Sequence, residues 1–275
     1  MLTNMNEKIK NSYNTIVNYL IEHSVFKNAD FQINSINGRQ KKWLELVDAI
    51  YVIGPEHQMD FFTKEADSQG FLPLVNFLYP KMINELFVSH PTDCRNILDW
   101  IIEEYGGPPF ESEMYEFYVF GCHISHVIIS MDIIKNNYKR AMVFENDAKF
   151  YKYVEDKTID KIVQLYDDDL HDEIGFLNLG FHEKENYQEN FKLFKGQTAT
   201  AHTYIINQKT SKLLVGGINL NGAVPKGKNA TNDEKEFSYR CGADGFFGGF
   251  VDNFYLNLPL TYQQFIGTNR EQSYL

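Results

Sequence analysis

The run Ala141-Met142-Val143-Phe144 is apolar, too short for a helix, and closed at once by Glu145-Asn146-Asp147. Such a run has the length of a buried strand. Upstream, Val127, Ile128, Met131 and Ile134 recur at helical spacing, with Ser125 as a candidate cap and Asn136-Asn137 as a candidate stop. A helix feeding a strand that ends in acids is the pattern of an open α/β sheet, which binds ligands beyond the carboxyl ends of its strands. Two carboxylates one residue apart on such a turn can converge on a hard divalent cation, with a diphosphate and water completing its oxygen shell.

The rest of the chain repeats the alternation. Strands are expected at 50–53, 72–77, 174–179 and 202–206, and helices at 59–66 and 159–166. Residues 81–118 read as more helical and aromatic, with a periodic stretch at 96–105 and a break at Gly106-Gly107-Pro108-Pro109. Strands alternating with helices predict an α/β fold with a mostly parallel mixed sheet covered by helices on both faces. Ahead of this pattern, residues 8–21 carry Ile9, Tyr13, Ile16, Val17, Tyr19 and Leu20 on one helical face. Residues 1–47 are therefore expected to be a helical extension packed on a single domain at 48–275. The polar stretch 221–235 reads as a long loop.

Composition narrows the function classes. With 275 residues, 43% of them hydrophobic and 15% aromatic, the chain can bury a full core. Its 37 acids against 26 bases give a net charge of −11, which argues against nucleic acid or an anionic membrane as a partner. Cys94, Cys122 and Cys241 are an odd three without a C-x-x-C, so neither a disulfide framework nor a zinc site is expected. The opening MLTNMNEKIKNSYN is too polar for a secretory signal, and no run approaches the roughly 20 apolar residues of a membrane span. A cytoplasmic protein is expected, in which Asn229-Ala230-Thr231 is a polar turn rather than a glycosylation site.

Four regions in order, of which 121–147 carries two motifs, resemble glycosyltransferase family 25, the lipopolysaccharide and collagen galactosyltransferase group. Gly121-Cys122-His123-Ile124-Ser125-His126 is similar to the family's G-C-x-x-S-H, and Glu145-Asn146-Asp147 to its E-D-D triplet, with Asn146 in place of the central acid. Asp48-Ala49-Ile50-Tyr51-Val52-Ile53 resembles its opening strand. Glu173-Ile174-Gly175-Phe176-Leu177-Asn178-Leu179-Gly180 resembles a later strand, and Thr200-Ala201-His202-Thr203-Tyr204-Ile205-Ile206 the Ala-Tyr-Leu-Ile strand. The likeness runs over roughly 48–259. It implies a GT-A fold and transfer of a hexose, galactose above all, from a UDP-sugar to a hydroxyl of a glycan or protein, with inversion.

That chemistry needs the leaving diphosphate neutralised, a carboxylate to take the acceptor proton, and water kept from the anomeric centre. The resemblance assigns a Mn2+ or Mg2+ ion to Asp147, with Glu145 as second ligand or sugar contact. Ile53, Gly54, Ser125, His126, Glu145 and Asn146 would line the donor. Ser125 and His126, like His123, fall at the expected start of a helix, where free N–H groups suit a phosphate or hydroxyl. His202 and Tyr204 belong to the acceptor side. Asp244, flanked by Gly242 and Gly245, is the expected base, with Asp252 as the alternative; Asp167-Asp168-Asp169 reads as a solvated loop. The first strand leads into Gly54-Pro55-Glu56-His57 and lacks the family's nucleotide-holding arginine. Two rival readings are a sugar-nucleotide-binding protein without transfer activity and a metal-dependent hydrolase of nucleotide sugars.

Overall fold

The structure, a computed structural model, describes residues 7–23, 25–28, 36–79, 83–105, 113–167, 174–181, 191–195, 201–218, 253–256 and 259–264. Helix α1 (Glu7–His23) buries Tyr13, Ile16 and Leu20 along one stripe and leads to the short strand β1 (Val25–Asn28). A capping box starts α2 (Gly38–Leu46): the Asn37 side chain accepts from the Gln40 N–H, and the Gln40 side chain accepts from the Asn37 N–H. Strand β2 (Ala49–Ile53) is buried at every position, followed by α3 (Met59–Ser68) and β3 (Val75–Tyr79). Residues 72–74, expected to begin that strand, instead form a 3-10 turn, because Pro73 fixes φ and offers no N–H to a ladder.

The helical stretch comprises α4 (Ile83–Ser89), α5 (Pro91–Tyr105) and α6 (Glu113–Lys135). The stop expected at Asn136-Asn137 is present. Asn137 adopts φ 57°, and the bonds Tyr138 N–H to Ile133 O (3.0 Å) and Asn137 N–H to Ile134 O (3.2 Å) close a Schellman motif. The expected start is corrected: α6 begins at Glu113, so Ser125 is no cap, and Ser125 and His126 lie deep inside the helix. Then follow β4 (Arg140–Glu145), β5 (Ala148–Phe150), α7 (Asp156–Asp167), β6 (Phe176–Asn178), β7 (Gly180–Phe181) and β8 (Leu193–Lys195). The last elements are β9 (Thr203–Asn207), α8 (Gln208–Ile218), β10 (Asn253–Leu256) and β11 (Thr261–Gln263).

Eight strands form one sheet in the order β1-β3-β2-β4-β9-β6-β10-β8. Three adjacencies are parallel (β2 with β3, β2 with β4, β6 with β10) and four antiparallel. The sheet is therefore mixed, and less parallel than the sequence suggests. Strand β9 runs against both of its neighbours, yet its Thr203, Tyr204, Ile205 and Ile206 are all buried, so it reads as the same continuous apolar run that a parallel strand would show.

Alternation along the strands separates two cores. Ala49, Tyr51, Ile53, Ala141, Val143, Phe176, Tyr204 and Ile206 face α1, α4, α5, α6 and α8. Ile50, Val52, Met142, Phe144, Leu177 and Ile205 face α2, α3 and α7, where Trp43, Phe62, Phe71 and Tyr166 fill the space. Helices cover both faces. Each of the Val, Leu, Ile, Phe and Met side chains among them contributes roughly 1.5–3 kcal/mol by leaving water. The first 47 residues are more than a helical layer, since β1 adds an edge strand antiparallel to β3 and α2 packs on α7. A three-stranded sheet, β5-β11-β7, adjoins the large one. No helix among the described residues is long and apolar enough to cross a membrane.

Candidate functional site

Strand β2 has β3 on one side and β4 on the other, both parallel to it, so the connections leave in opposite directions. A crevice opens at such a switch point, beyond the carboxyl ends of the strands. Ile53 and Gly54 end β2 there, and Glu145, Asn146 and Asp147 end β4. Because β9 is reversed, its first residues meet the same edge, beside the end of β6. Backbone bonds knit this rim: Asn146 N–H to Ile53 O (2.9 Å), Glu145 N–H to His202 O (2.9 Å) and Leu179 N–H to Thr203 O (2.9 Å).

Gly54 serves the protein rather than a ligand. A Cβ on it would lie 2.6 Å from both Cβ and Cγ of Asn146, so the missing side chain makes room for that residue. Asn146 Nδ2 then donates to Gln58 Oε1 at 3.2 Å. Gly180 does the same for His202, whose Nε2 would be 2.3 Å from an added Cβ. His202 and Tyr204 are 1% and 0% exposed, so neither presents a surface to an acceptor. Tyr204 instead stacks on Phe176 at 4.7 Å and bonds to His126.

The acidic end of β4 divides between two neighbourhoods. Glu145, its side chain 21% exposed, turns toward α6, where Cys122 and His126 stand one helical turn apart on one face. Cys122 Sγ is 3.7 Å from His126 Nε2 and 3.5 Å from Glu145 Oε1, and His126 Nε2 is 3.5 Å from that same Oε1. His126 Nδ1 lies 2.6 Å from the Tyr204 hydroxyl. Asp147, nearly buried, faces β11: its Oδ2 accepts from Gln263 Nε2 at 3.0 Å, and its carbonyl from the Gln264 N–H at 2.9 Å. Thr261 Oγ1 donates to Thr203 Oγ1 at 2.8 Å, so β11 is stapled across the rim.

Mn2+ and Mg2+ take shells of oxygen ligands. The side chains of Glu145, Asn146 and Asp147 have separate partners in Cys122 and His126, Gln58, and Gln263, and do not form such a shell among the described residues. The group that does gather there, Cys122, His126 and Glu145, has all its donor atoms within 4.8 Å of one another. Cys122 belongs to no C-x-x-C, and the signal for it in the sequence is its one-turn spacing from His126. Ser125, 2% exposed, is buried within α6. Asp244, Asp252 and the stretch 221–235 lie outside the described residues.

Lys27 also went unremarked. From β1 its ammonium is held by Glu56, in the loop after β2, and sits 5.0 Å from the centre of the Tyr79 ring. The Glu56 hydrogen bond raises its pKa, so the cation persists beside the loop that lacks an arginine. A cavity of about 230 Å³, lined in part by Tyr151, Lys157, Lys161, Phe191 and Leu260, holds none of the rim acids. No protein-family model matches the chain, and no curated protein is significantly similar to it.

Proposed function

We propose that this protein is a glycosyltransferase that moves a hexose, galactose first among them, from a UDP-sugar to a hydroxyl of a glycan or protein acceptor. The observation that carries the reading is the acid-bearing end of β4 standing beside the end of β2, fixed by the Asn146 to Ile53 hydrogen bond, at the switch point of the sheet. The ordered resemblance of four sequence motifs supports it independently. Glu145 is the more exposed of the two rim acids, and the carboxylate oxygen other than the Oε1 that faces Cys122 and His126 is the one assigned to the donor's hydroxyls. Asp147 holds β11 over the rim, which helps to keep water from the anomeric carbon. Asp244, or Asp252 in its stead, takes the acceptor proton as the new bond forms. A hard cation such as Mn2+ or Mg2+ would need Asp147 and Glu145 to leave their present partners, Gln263 and the Cys122–His126 pair.

The test is UDP release from UDP-galactose, followed with and without a panel of glycan and peptide acceptors. Release that depends on one acceptor class, with the matching mass increase in that acceptor, is the expected result. Equal release without any acceptor would mean a hydrolase, and binding without release a binding protein.

A further inference from the structure

We infer that Cys122, His126 and Glu145 hold a zinc ion. The distances carry this. A tetrahedral zinc with Zn–S near 2.3 Å and Zn–N and Zn–O near 2.0 Å spaces its ligand atoms roughly 3.3–3.6 Å apart. The three separations here are 3.7, 3.5 and 3.5 Å. Sulfur hydrogen bonds account for the two Cys122 distances, but 3.5 Å between His126 Nε2 and Glu145 Oε1 is beyond the usual N–H···O range.

The surroundings fit a metal ligand. Cys122 and His126 project from one face of α6, and Glu145 comes from the end of β4, so two rigid elements set the triangle. His126 is fully buried, and its Nδ1 shares a hydrogen bond with the Tyr204 hydroxyl at 2.6 Å; a metal on Nε2 requires the tautomer in which Nδ1–H is the donor of that bond. A thiolate, an imidazole and a carboxylate suit zinc, whereas Mn2+ and Mg2+ favour oxygen alone. On binding, the Cys122 thiol gives its proton to solvent. Three ligands come from the described residues, and a tetrahedral ion would take a fourth, such as water or an oxygen of a bound molecule. The inference does not rest on glycosyl transfer: zinc binding by a protein that takes up no nucleotide sugar would leave it standing.

Cobalt tests it, because tetrahedral Co2+ with a thiolate ligand gives a charge-transfer band in the near ultraviolet and strong visible bands. Chelator-treated, reduced protein titrated with Co2+ should develop both at one equivalent and lose them when Zn2+ is added. Cys122→Ser should abolish the ultraviolet band, and Glu145→Gln should weaken Co2+ binding at least tenfold. A weak octahedral spectrum in the wild-type protein, or a spectrum unchanged in Cys122→Ser, would overturn the site. The wild-type titration alone decides the matter if a variant fails to fold.

Discussion

His126 and Tyr204 bond at 2.6 Å, tying α6 to β9 across one face of the sheet. Both side chains are fully buried, so water cannot replace a lost partner. Tyr204→Phe should therefore lower unfolding free energy by about 1–3 kcal/mol, measured by urea denaturation. The same change should weaken cobalt binding about 10–100-fold, as loss of an outer-shell partner does. Unchanged cobalt affinity would confine the bond to a packing role.

Gly54→Ala should destabilise the protein by about 1–3 kcal/mol, since its Cβ overlaps the Asn146 side chain 2.6 Å away. Adding Asn146→Gly removes the overlapping atoms and should recover part of the loss. Denaturation of both single variants and the double variant measures the coupling. Strictly additive losses would show that the two residues do not compete for the space.

Much of the layering was legible, because buried strands and amphipathic helices leave periodic traces. The buried runs of β2 and β4, the α7 stripe of Ile159, Ile162 and Tyr166, and the turn after α6 all follow from residue pattern. Helix α6 misled for a physical reason. Residues 124–130 are all buried, so no exposed face on this part of the helix marks where it starts. Strand direction left no trace either, as β9 shows. At the site, the meeting of Glu145 with Cys122 depends on how α6 crosses β4, which no local pattern records.

Stability should fall in alkali. Burial raises the Cys94 thiol from its ordinary 9.0 to about 12 and pushes the hydroxyls of Tyr13, Tyr51 and Tyr166 far above their ordinary 10.0; Asp132, bonded to Tyr51 at 2.6 Å, adds to that shift. The folded state keeps protons that the unfolded chain releases. Their contribution is thus complete below the unfolded pKa values and is lost as pH rises through and beyond them. Unfolding free energies from urea denaturation should decline between about pH 9 and pH 11, by up to about 1.4 kcal/mol per pH unit for each such group. Tyrosinate absorbance from these three residues should appear only with unfolding.

Calorimetric titration with UDP-galactose tests the assignment of the rim as a donor site most directly. The wild-type protein should bind one equivalent per chain, and UDP should compete for the same site. Glu145→Gln should weaken UDP-galactose more than UDP, because Glu145 is assigned to the sugar end of the donor. Absence of heat with either ligand, or equal affinities in the wild-type and Glu145→Gln proteins, would contradict the placement of the donor at the ends of β2 and β4.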